Sequence, residues 1–190
     1  DLLPAAGKVE LVELLPEIVE WNRGPLARNA QAPLEDPRVK VTIGDVGEAI
    51  DTKEACGILN EIMEYELAGV VRYTHSAMMV TGPYRIPIVA FLKEQAAESL
   101  LHAQGAGELI AGLDGHPSQK IAKIEETGQH SIKDILEESL GHELHAVGLY
   151  KKLLEEVEDK SLYLEEYARG MIGEEEQHSL ELKRMLKDYG

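Results

Sequence analysis

Hydrophobic positions recur mainly at the three- and four-residue spacing of amphipathic helices, and strictly alternating stretches that would predict a sheet are almost absent. Four long stretches have this helical spacing. Thr81, Gly82 and Pro83 end the first stretch, and the turn from Asp114 to Pro117 ends the second. We therefore predict an all-α protein with helices over about residues 47–80, 86–113, 131–158 and 161–186.

The connections between these helices differ in length. The first and third connections are short, whereas some thirteen residues, Ser118 to His130, separate the second helix from the third. This pattern predicts an antiparallel four-helix bundle of two hairpins joined by one long crossover. The bundle is expected over residues 47–190. Residues 1–46 form an N-terminal extension, in which apolar spacing predicts a short amphipathic helix over Val9 to Trp21.

The two predicted hairpins contain an internal repeat. At an offset of 77 residues, glutamates and tyrosines of one hairpin align with those of the other, and the second glutamate of each hairpin shortly precedes a histidine. The aligned pairs are Glu66 with Glu143, Tyr73 with Tyr150 and Glu98 with Glu175, and the histidines are His102 and His178.

The spacing within each hairpin predicts that these side chains share one layer. Glu66 and Glu98 stand at similar distances from the turn between them, and helical periodicity directs both toward the bundle interior. Four buried carboxylates would repel one another strongly without compensation. Two divalent cations would neutralise them, and a mixed carboxylate and imidazole donor set suits iron or manganese.

Neighbouring residues offer competing interpretations. Glu174 lies four residues before His178 and rivals Glu175, although the 77-residue offset favours Glu175. Helical angles place His142 and His145 at the surface or at an interface. Tyr73 and Tyr150 are either simple core aromatics or donors of hydrogen bonds to the ligand carboxylates.

Composition excludes several classes of function. The chain has 190 residues and a formal net charge of −16. This charge disfavours binding to a nucleic-acid backbone or to an anionic membrane. No stretch is long and apolar enough to predict a membrane span or signal peptide. The single cysteine, Cys56, cannot form an intrachain disulfide, which fits a reducing compartment, and we expect a cytoplasmic protein.

Three motifs resemble the ferritin-like superfamily, and bacterioferritin most closely. They are the segment from Glu66 to Tyr73, the pair Glu143-Leu144 and the Glu-x-x-His sequence from Glu175 to His178. The resemblance implies a di-iron ferroxidase centre that oxidises Fe(II) with O2 or H2O2, in a homo-oligomer that stores or detoxifies iron. The expected ligands of two Fe or Mn ions per subunit, which are also the catalytic residues, are Glu66, Glu98, His102, Glu143, Glu175 and His178.

Two positions depart from the family pattern. The family places glutamate three residues before the second-helix histidine, but that residue is Ser99 here, and Glu98 stands four residues before His102. Either the helix adjusts by one residue or the site is asymmetric. Leu100 replaces the methionine that binds haem in bacterioferritin, so we expect no haem. Only 12 residues follow His178 in this sequence, so we expect no counterpart of the family's short fifth helix, and the expected assembly ranges from a dimer to a Dps-like dodecamer or a larger cage.

The same ligand set permits two other functions. One is a rubrerythrin-like peroxidase or another dimeric di-iron or di-manganese oxidoreductase. The other is a bundle that binds metal without turnover. Fe(II) oxidation separates the enzymes from the passive binder, and particle mass separates a cage from a dimer.

Overall fold

The computed structural model describes residues 9–13, 39–43 and 51–189. The chain divides into two units, Asp1–Ile50 and Asp51–Gly190. In the second unit, four long helices account for nearly all of the regular structure. They are α1, Thr52–Met79; α2, Arg85–Gly112; α3, Ile132–Val157; and α4, Leu162–Leu186, which is followed by a short 3₁₀ turn, Lys187–Tyr189.

The four helices pack as a ferritin-like four-helix bundle, which confirms the predicted fold class of this unit. Helix α1 packs on α2, α3 packs on α4, and α1 also contacts α3. A cluster of buried apolar side chains closes one end of the bundle, with Val80, Leu92 and Ile135 among its members. None of the helices that the structure describes is long and apolar enough to cross a membrane.

Local sequence explains where three of the helices begin. The side chain of Asp51 accepts hydrogen bonds from the backbone N–H groups of Lys53 and Glu54 at the start of α1. The hydroxyl groups of Ser131 and Ser161 accept corresponding bonds at the starts of α3 and α4. These caps fix the ends of the helices and therefore the register of the side chains between them.

The crossover between α2 and α3 runs beside α1. The backbone N–H of Ala122 donates to the carbonyl oxygen of Glu64 over 2.9 Å. The Asn60 side-chain oxygen accepts from the backbone N–H of Ser118 over 2.7 Å. These bonds hold the crossover along the outer side of α1, on the polar face that the core does not use.

The first unit contains a short parallel sheet that the sequence did not predict. Strand β1, Val9–Glu13, pairs with β2, Val39–Ile43, with Val9 opposite Val39 and Glu13 opposite Ile43. The predicted amphipathic helix is therefore wrong for residues 9–13. The β-branched valines of this segment suit a strand, and pairing with β2 stabilises the extended conformation. Residues 14–21 of that predicted helix lie outside the described residues.

Candidate metal centre

Three carboxylates lie buried between the helices. Glu66 of α1, Glu143 of α3 and Glu175 of α4 are each only 2 to 3% exposed. Each falls on the buried face of its helix, so that backbone periodicity directs it inward among apolar side chains. Burial of three carboxylates without cationic partners is costly, and the groups that approach them are therefore informative.

Two histidines complete two separate groups of possible metal ligands. In the first group, His102 Nδ1 lies 2.9 Å from Glu175 Oε1 and 3.7 Å from Glu66 Oε1. In the second group, His178 Nδ1 lies 3.3 Å from Glu143 Oε2 and 3.5 Å from Glu175 Oε2. One donor atom from each member of a group lies within 4.8 Å of the others.

Glu175 connects the two groups. Its Oε1 faces His102 and its Oε2 faces His178, so one carboxylate contributes an oxygen to each group. Helix α4 thus supplies a single carboxylate that belongs to both three-residue groups. This arrangement is suited to a carboxylate that bridges two cations.

Two tyrosines hold the carboxylates of Glu66 and Glu143 in place. The Tyr150 hydroxyl donates to Glu66 Oε1 over 3.2 Å, and the Tyr73 hydroxyl donates to Glu143 Oε1. Tyr150 of α3 therefore contacts the glutamate of α1, and Tyr73 of α1 contacts the glutamate of α3. Of the two interpretations of these tyrosines, the structure shows the one with hydrogen bonds to the carboxylates, and these bonds fix the orientation of both carboxylates.

The protonation of the histidines reflects the surrounding carboxylates. Burial lowers the pKa of His102, but its contacts with Glu175 and Glu66 outweigh that effect and raise the pKa to about 10. The contacts with Glu143 and Glu175 raise the pKa of His178 to about 10 against the opposing effect of burial. Burial raises the pKa of Glu143. In the metal-free protein the two imidazolium groups therefore act as the counter-ions of the carboxylates.

Metal binding is expected to release protons at pH 8. Both histidine pKa values lie above that pH, so each imidazole is protonated before binding and must lose its proton to become a ligand. Affinity should consequently rise with pH. Anaerobic Co(II) titration in weak buffer with a pH indicator measures the release, and His178→Gln should release fewer protons per ion. Equal release by both proteins would contradict this protonation scheme.

Glu98, the sixth predicted ligand, lies at the edge of the site. Its side chain is 38% exposed and belongs to neither ligand group. Its Oε2 accepts a 2.6 Å hydrogen bond from Gln95 Nε2 and lies 3.5 Å from the outer nitrogen of His178. Glu174 occupies the matching place on the other side, with its Oε2 3.4 Å from His102 Nε2.

The structure resolves how α2 faces the site. Ser99 is buried, and it precedes His102 by the same three residues that separate Glu175 from His178. Helices α2 and α4 therefore correspond at an offset of 76 residues, so Ser99 matches Glu175 and Glu98 matches Glu174. Helix α2 is regular throughout, with no one-residue adjustment. The site is therefore asymmetric, because α2 has Ser99 where α4 has Glu175. A ligand role for Glu98 stays a prediction.

Sequence reasoning missed a buried histidine. The prediction that His142 lies at the surface or at an interface is wrong, because His142 is only 3% exposed. His145, for which the same prediction was made, is exposed. The ring of His142 stacks on Tyr65 at 4.3 Å between centroids, and Tyr73 meets it edge-on. Burial lowers the pKa of His142 to about 4, so the ring is neutral. The sequence signal that could have located it is the three- and four-residue spacing of Ile135, Ser139, His142 and Ala146, all of which are buried in α3.

Gly69 of α1 makes room for this histidine. A Cβ atom at position 69 would lie 2.6 Å from His142 Nε2 and 2.9 Å from Ser99 Oγ. We expect Gly69→Ala to destabilise the metal-free protein by about 1–3 kcal/mol because the neighbouring side chains must move. Gly57→Ala is the matched control on the same helix, since nothing lies within 4 Å of its Cβ position.

Denaturant unfolding of the two variants measures the difference. The control should be stabilised by about 0.4–1 kcal/mol, because alanine loses less backbone entropy on folding than glycine does. A Gly69→Ala protein as stable as the Gly57→Ala protein would show that the close approach to His142 is not required.

The donor set of the two groups fits iron. Carboxylate oxygens and imidazole nitrogens without thiolates are ligands that iron and manganese accept. Glu175 Oε1 is buried and, among the described residues, receives no well-directed hydrogen bond, although His102 Nδ1 is close. In the metal-free protein this oxygen has the His102 imidazolium as its cationic neighbour, and a bound metal ion would supply the positive charge once that imidazole has lost its proton.

Several solved structures share the fold of this chain. A ferritin-like diiron-carboxylate protein from Bacillus anthracis is 27% identical, with a TM-score of 0.68 over 72% of this chain and 97% of the other. The bacterioferritin-related dodecameric thioferritin of Bacteroides fragilis is 22% identical, with a TM-score of 0.68, over 76% and 90% of the two chains. Desulfovibrio desulfuricans bacterioferritin is 19% identical, with a TM-score of 0.67, over 76% and 83%.

Sequence comparison identifies the family directly. No individually curated protein matches the chain significantly. The family model for the ferritin-like domain, in contrast, matches residues 56–189, which include all four helices apart from the first turn of α1. The chain therefore belongs to the ferritin family, as a ferritin-like domain with a di-iron carboxylate protein among its structural neighbours.

Proposed function

We propose that this protein binds two iron ions between its four helices and oxidises Fe(II) in iron storage or detoxification. The observation that carries the proposal is the position of Glu175, whose two oxygens face two different histidines. Membership of the ferritin family supports the same chemistry, since its neighbours include a bacterioferritin and a diiron-carboxylate protein.

The residues of each group have distinct roles in this proposal. Glu66 and His102 hold one ion, Glu143 and His178 hold the other, and Glu175 contributes to both. The Fe(II) ions supply the electrons that reduce O2 or H2O2. The protein orients the carboxylates through its two tyrosines, and the histidines give up their protons as the ions enter.

The site also favours turnover over purely structural binding. The outer carboxylates Glu98 and Glu174 are solvent-accessible and lie beside the outer nitrogens of the two histidines. An exposed carboxylate next to each histidine offers an incoming cation a first contact at the surface. A structural metal site, by comparison, is normally closed by its protein ligands.

We further propose that the chain assembles as a homo-oligomer. Large apolar side chains remain exposed on all four helices of the described unit, and an oligomer would cover part of this apolar surface. They include Leu100, Leu101, Leu144 and Leu180. One similar structure, the Bacteroides fragilis protein, is a dodecamer. The expected range extends from a dimer to a dodecamer or a larger cage, without haem.

Aerobic Fe(II) titration of the metal-free protein tests the function. We expect fast oxidation that saturates at two ions per chain, followed by slower oxidation with ferric iron retained in a large particle, measured together with particle mass. Two ions bound in a dimer without retained mineral would favour the peroxidase-like alternative. Oxidation no faster than in protein-free buffer would contradict the proposal.

A further inference from the structure

An accessible carboxylate lies at each of two edges of the metal centre, where α2 and α4 face each other. At the first edge, Glu98 of α2 lies beside the outer nitrogen of His178 from α4. At the second edge, Glu174 of α4 lies beside the outer nitrogen of His102 from α2. We call these the Glu98 edge and the Glu174 edge. Because α2 and α4 correspond at an offset of 76 residues, the two edges can be compared residue by residue.

A buried glutamine distinguishes the two edges. Gln95 of α2 is only 5% exposed, and its Nε2 donates a 2.6 Å hydrogen bond to Glu98 Oε2. The matching residue of α4 is Met171, whose thioether has no hydrogen to donate to Glu174. The exposed fractions agree with this difference, since the side chain of Glu98 is 38% exposed and that of Glu174 is 61% exposed. Glu98 is therefore held at its edge by a bond that Glu174 does not have.

Packing alone does not explain a glutamine at position 95. The neighbouring residues on the buried face of α2 are Leu92 and Ser99, and a buried amide costs free energy unless its polar atoms find partners. An apolar residue such as the methionine of α4 would fill the same place without that cost. The hydrogen bond to Glu98 gives the amide its partner and at the same time fixes the carboxylate.

His178 connects the Glu98 edge to the interior. Its Nε2 lies 3.5 Å from Glu98 Oε2, and its Nδ1 lies 3.3 Å from Glu143 Oε2 and 3.5 Å from Glu175 Oε2. A single imidazole ring therefore separates the outer carboxylate from the inner ligand group. A cation held at Glu98 would be within one ring of the carboxylates proposed to bind it.

We propose that Gln95 is a positioning residue that holds Glu98 as the first contact for an incoming cation, so that ions load mainly through the Glu98 edge. A carboxylate that is already fixed loses little side-chain freedom when it captures an ion, whereas Glu174 must be ordered at that moment. The inference rests on the proposed di-iron function and adds the route by which ions reach the centre. It places Glu98 on that route rather than among the final ligands.

Anaerobic stopped-flow mixing of the metal-free full chain with Co(II), at constant ionic strength, tests this route. The Co(II) absorbance gives the loading rate, mixing of the loaded protein with a chelator gives the release rate, and titration gives the number of bound ions and their affinity. Glu98→Gln should slow loading roughly 10-fold, within the range of electrostatic effects on association rates. Release should slow by the same factor and the affinity should not change, because a residue on the route affects both directions equally. Glu174→Gln should slow loading much less.

Gln95→Met tests the positioning role, since it gives α2 the residue that α4 has at the matching position and removes the hydrogen bond. It should slow loading by roughly 3- to 10-fold, the cost of ordering one side chain on binding. Combined with Glu98→Gln it should add no further slowing, because Gln95 acts only through Glu98. Glu108→Gln is the matched control for the loss of one negative charge. Glu108 is exposed farther along α2, and its variant should load at the unmodified rate.

The possible outcomes separate this inference from the proposed function. Fewer than two Co(II) ions bound by the unmodified protein would contradict the di-iron centre itself. Two ions bound at a rate that neither Glu98→Gln nor Gln95→Met changes would overturn the positioning role alone. Equal slowing by Glu174→Gln, or independent effects of the two substitutions in the double variant, would also overturn it. A lower affinity of Glu98→Gln at an unchanged loading rate would make Glu98 a permanent ligand and contradict the proposed route.

Discussion

Glu175→Gln should slow Fe(II) oxidation by roughly 100-fold or more, the largest effect that we expect on activity. The amide keeps the size of the side chain but removes the negative charge and one acceptor oxygen from a group that faces both histidines. One candidate ion site loses its oxygen ligand, and the other keeps only a neutral amide oxygen in place of a carboxylate. The initial rate of aerobic Fe(II) oxidation, at two ions per chain, measures the effect.

Glu176→Gln is the matched control for this variant. Glu176 is the next residue on α4, but its side chain is exposed and contacts Lys151 at 3.0 Å rather than the site. The control should oxidise Fe(II) at the unmodified rate. If Glu175→Gln also retained that rate, Glu175 would not be a ligand of the reacting ions.

Leu153→Ala should lower the free energy of unfolding of the metal-free protein by about 2–5 kcal/mol. Leu153 is fully buried in α3, three residues after Tyr150, and its removal leaves a cavity among packed apolar side chains. The loss combines the transfer energy of the deleted carbons with the cost of that cavity. Denaturant titration at one fixed protein concentration measures the change.

Leu144→Ala provides the comparison on the same helix. Leu144 is 48% exposed, so its truncation removes less buried surface, and we expect a change within about 0.5 kcal/mol. Similar losses for the two variants would show that Leu144 is covered by another surface in the assembled protein. No loss for Leu153→Ala would contradict the described core.

Much of the bundle could be predicted from the sequence because its signals are local. The turn residues from Thr81 to Pro83 and those from Asp114 to Pro117 each act on the helix before them, and α1 and α2 end within a few residues of these signals. The repeat also located Glu66, Glu143 and Glu175, since equal spacing from a turn places residues of paired helices at equal depth.

The predictions that were wrong or stayed open concern residues whose position depends on contacts with distant parts of the chain. Viewed along the axis of α2, Glu98 and Ser99 lie on opposite sides of His102. Only the buried face of α2, which includes Leu92 and Ser99, shows which of the two residues faces the core. His142 looked exposed by its angle from Glu143 alone, but the buried face of α3 is wide enough to include both. Strand β1 depends on a partner strand about thirty residues away, which periodicity within a helix-length window does not reveal.

Anomalous diffraction from crystals of the protein loaded anaerobically with Fe(II) tests the central claim most directly. The account predicts two iron peaks per chain on either side of the Glu175 carboxylate, one beside Glu66 and His102 and the other beside Glu143 and His178. Iron found only at the exposed carboxylates, or a single ion that Glu175 does not contact, would contradict the proposed di-iron centre.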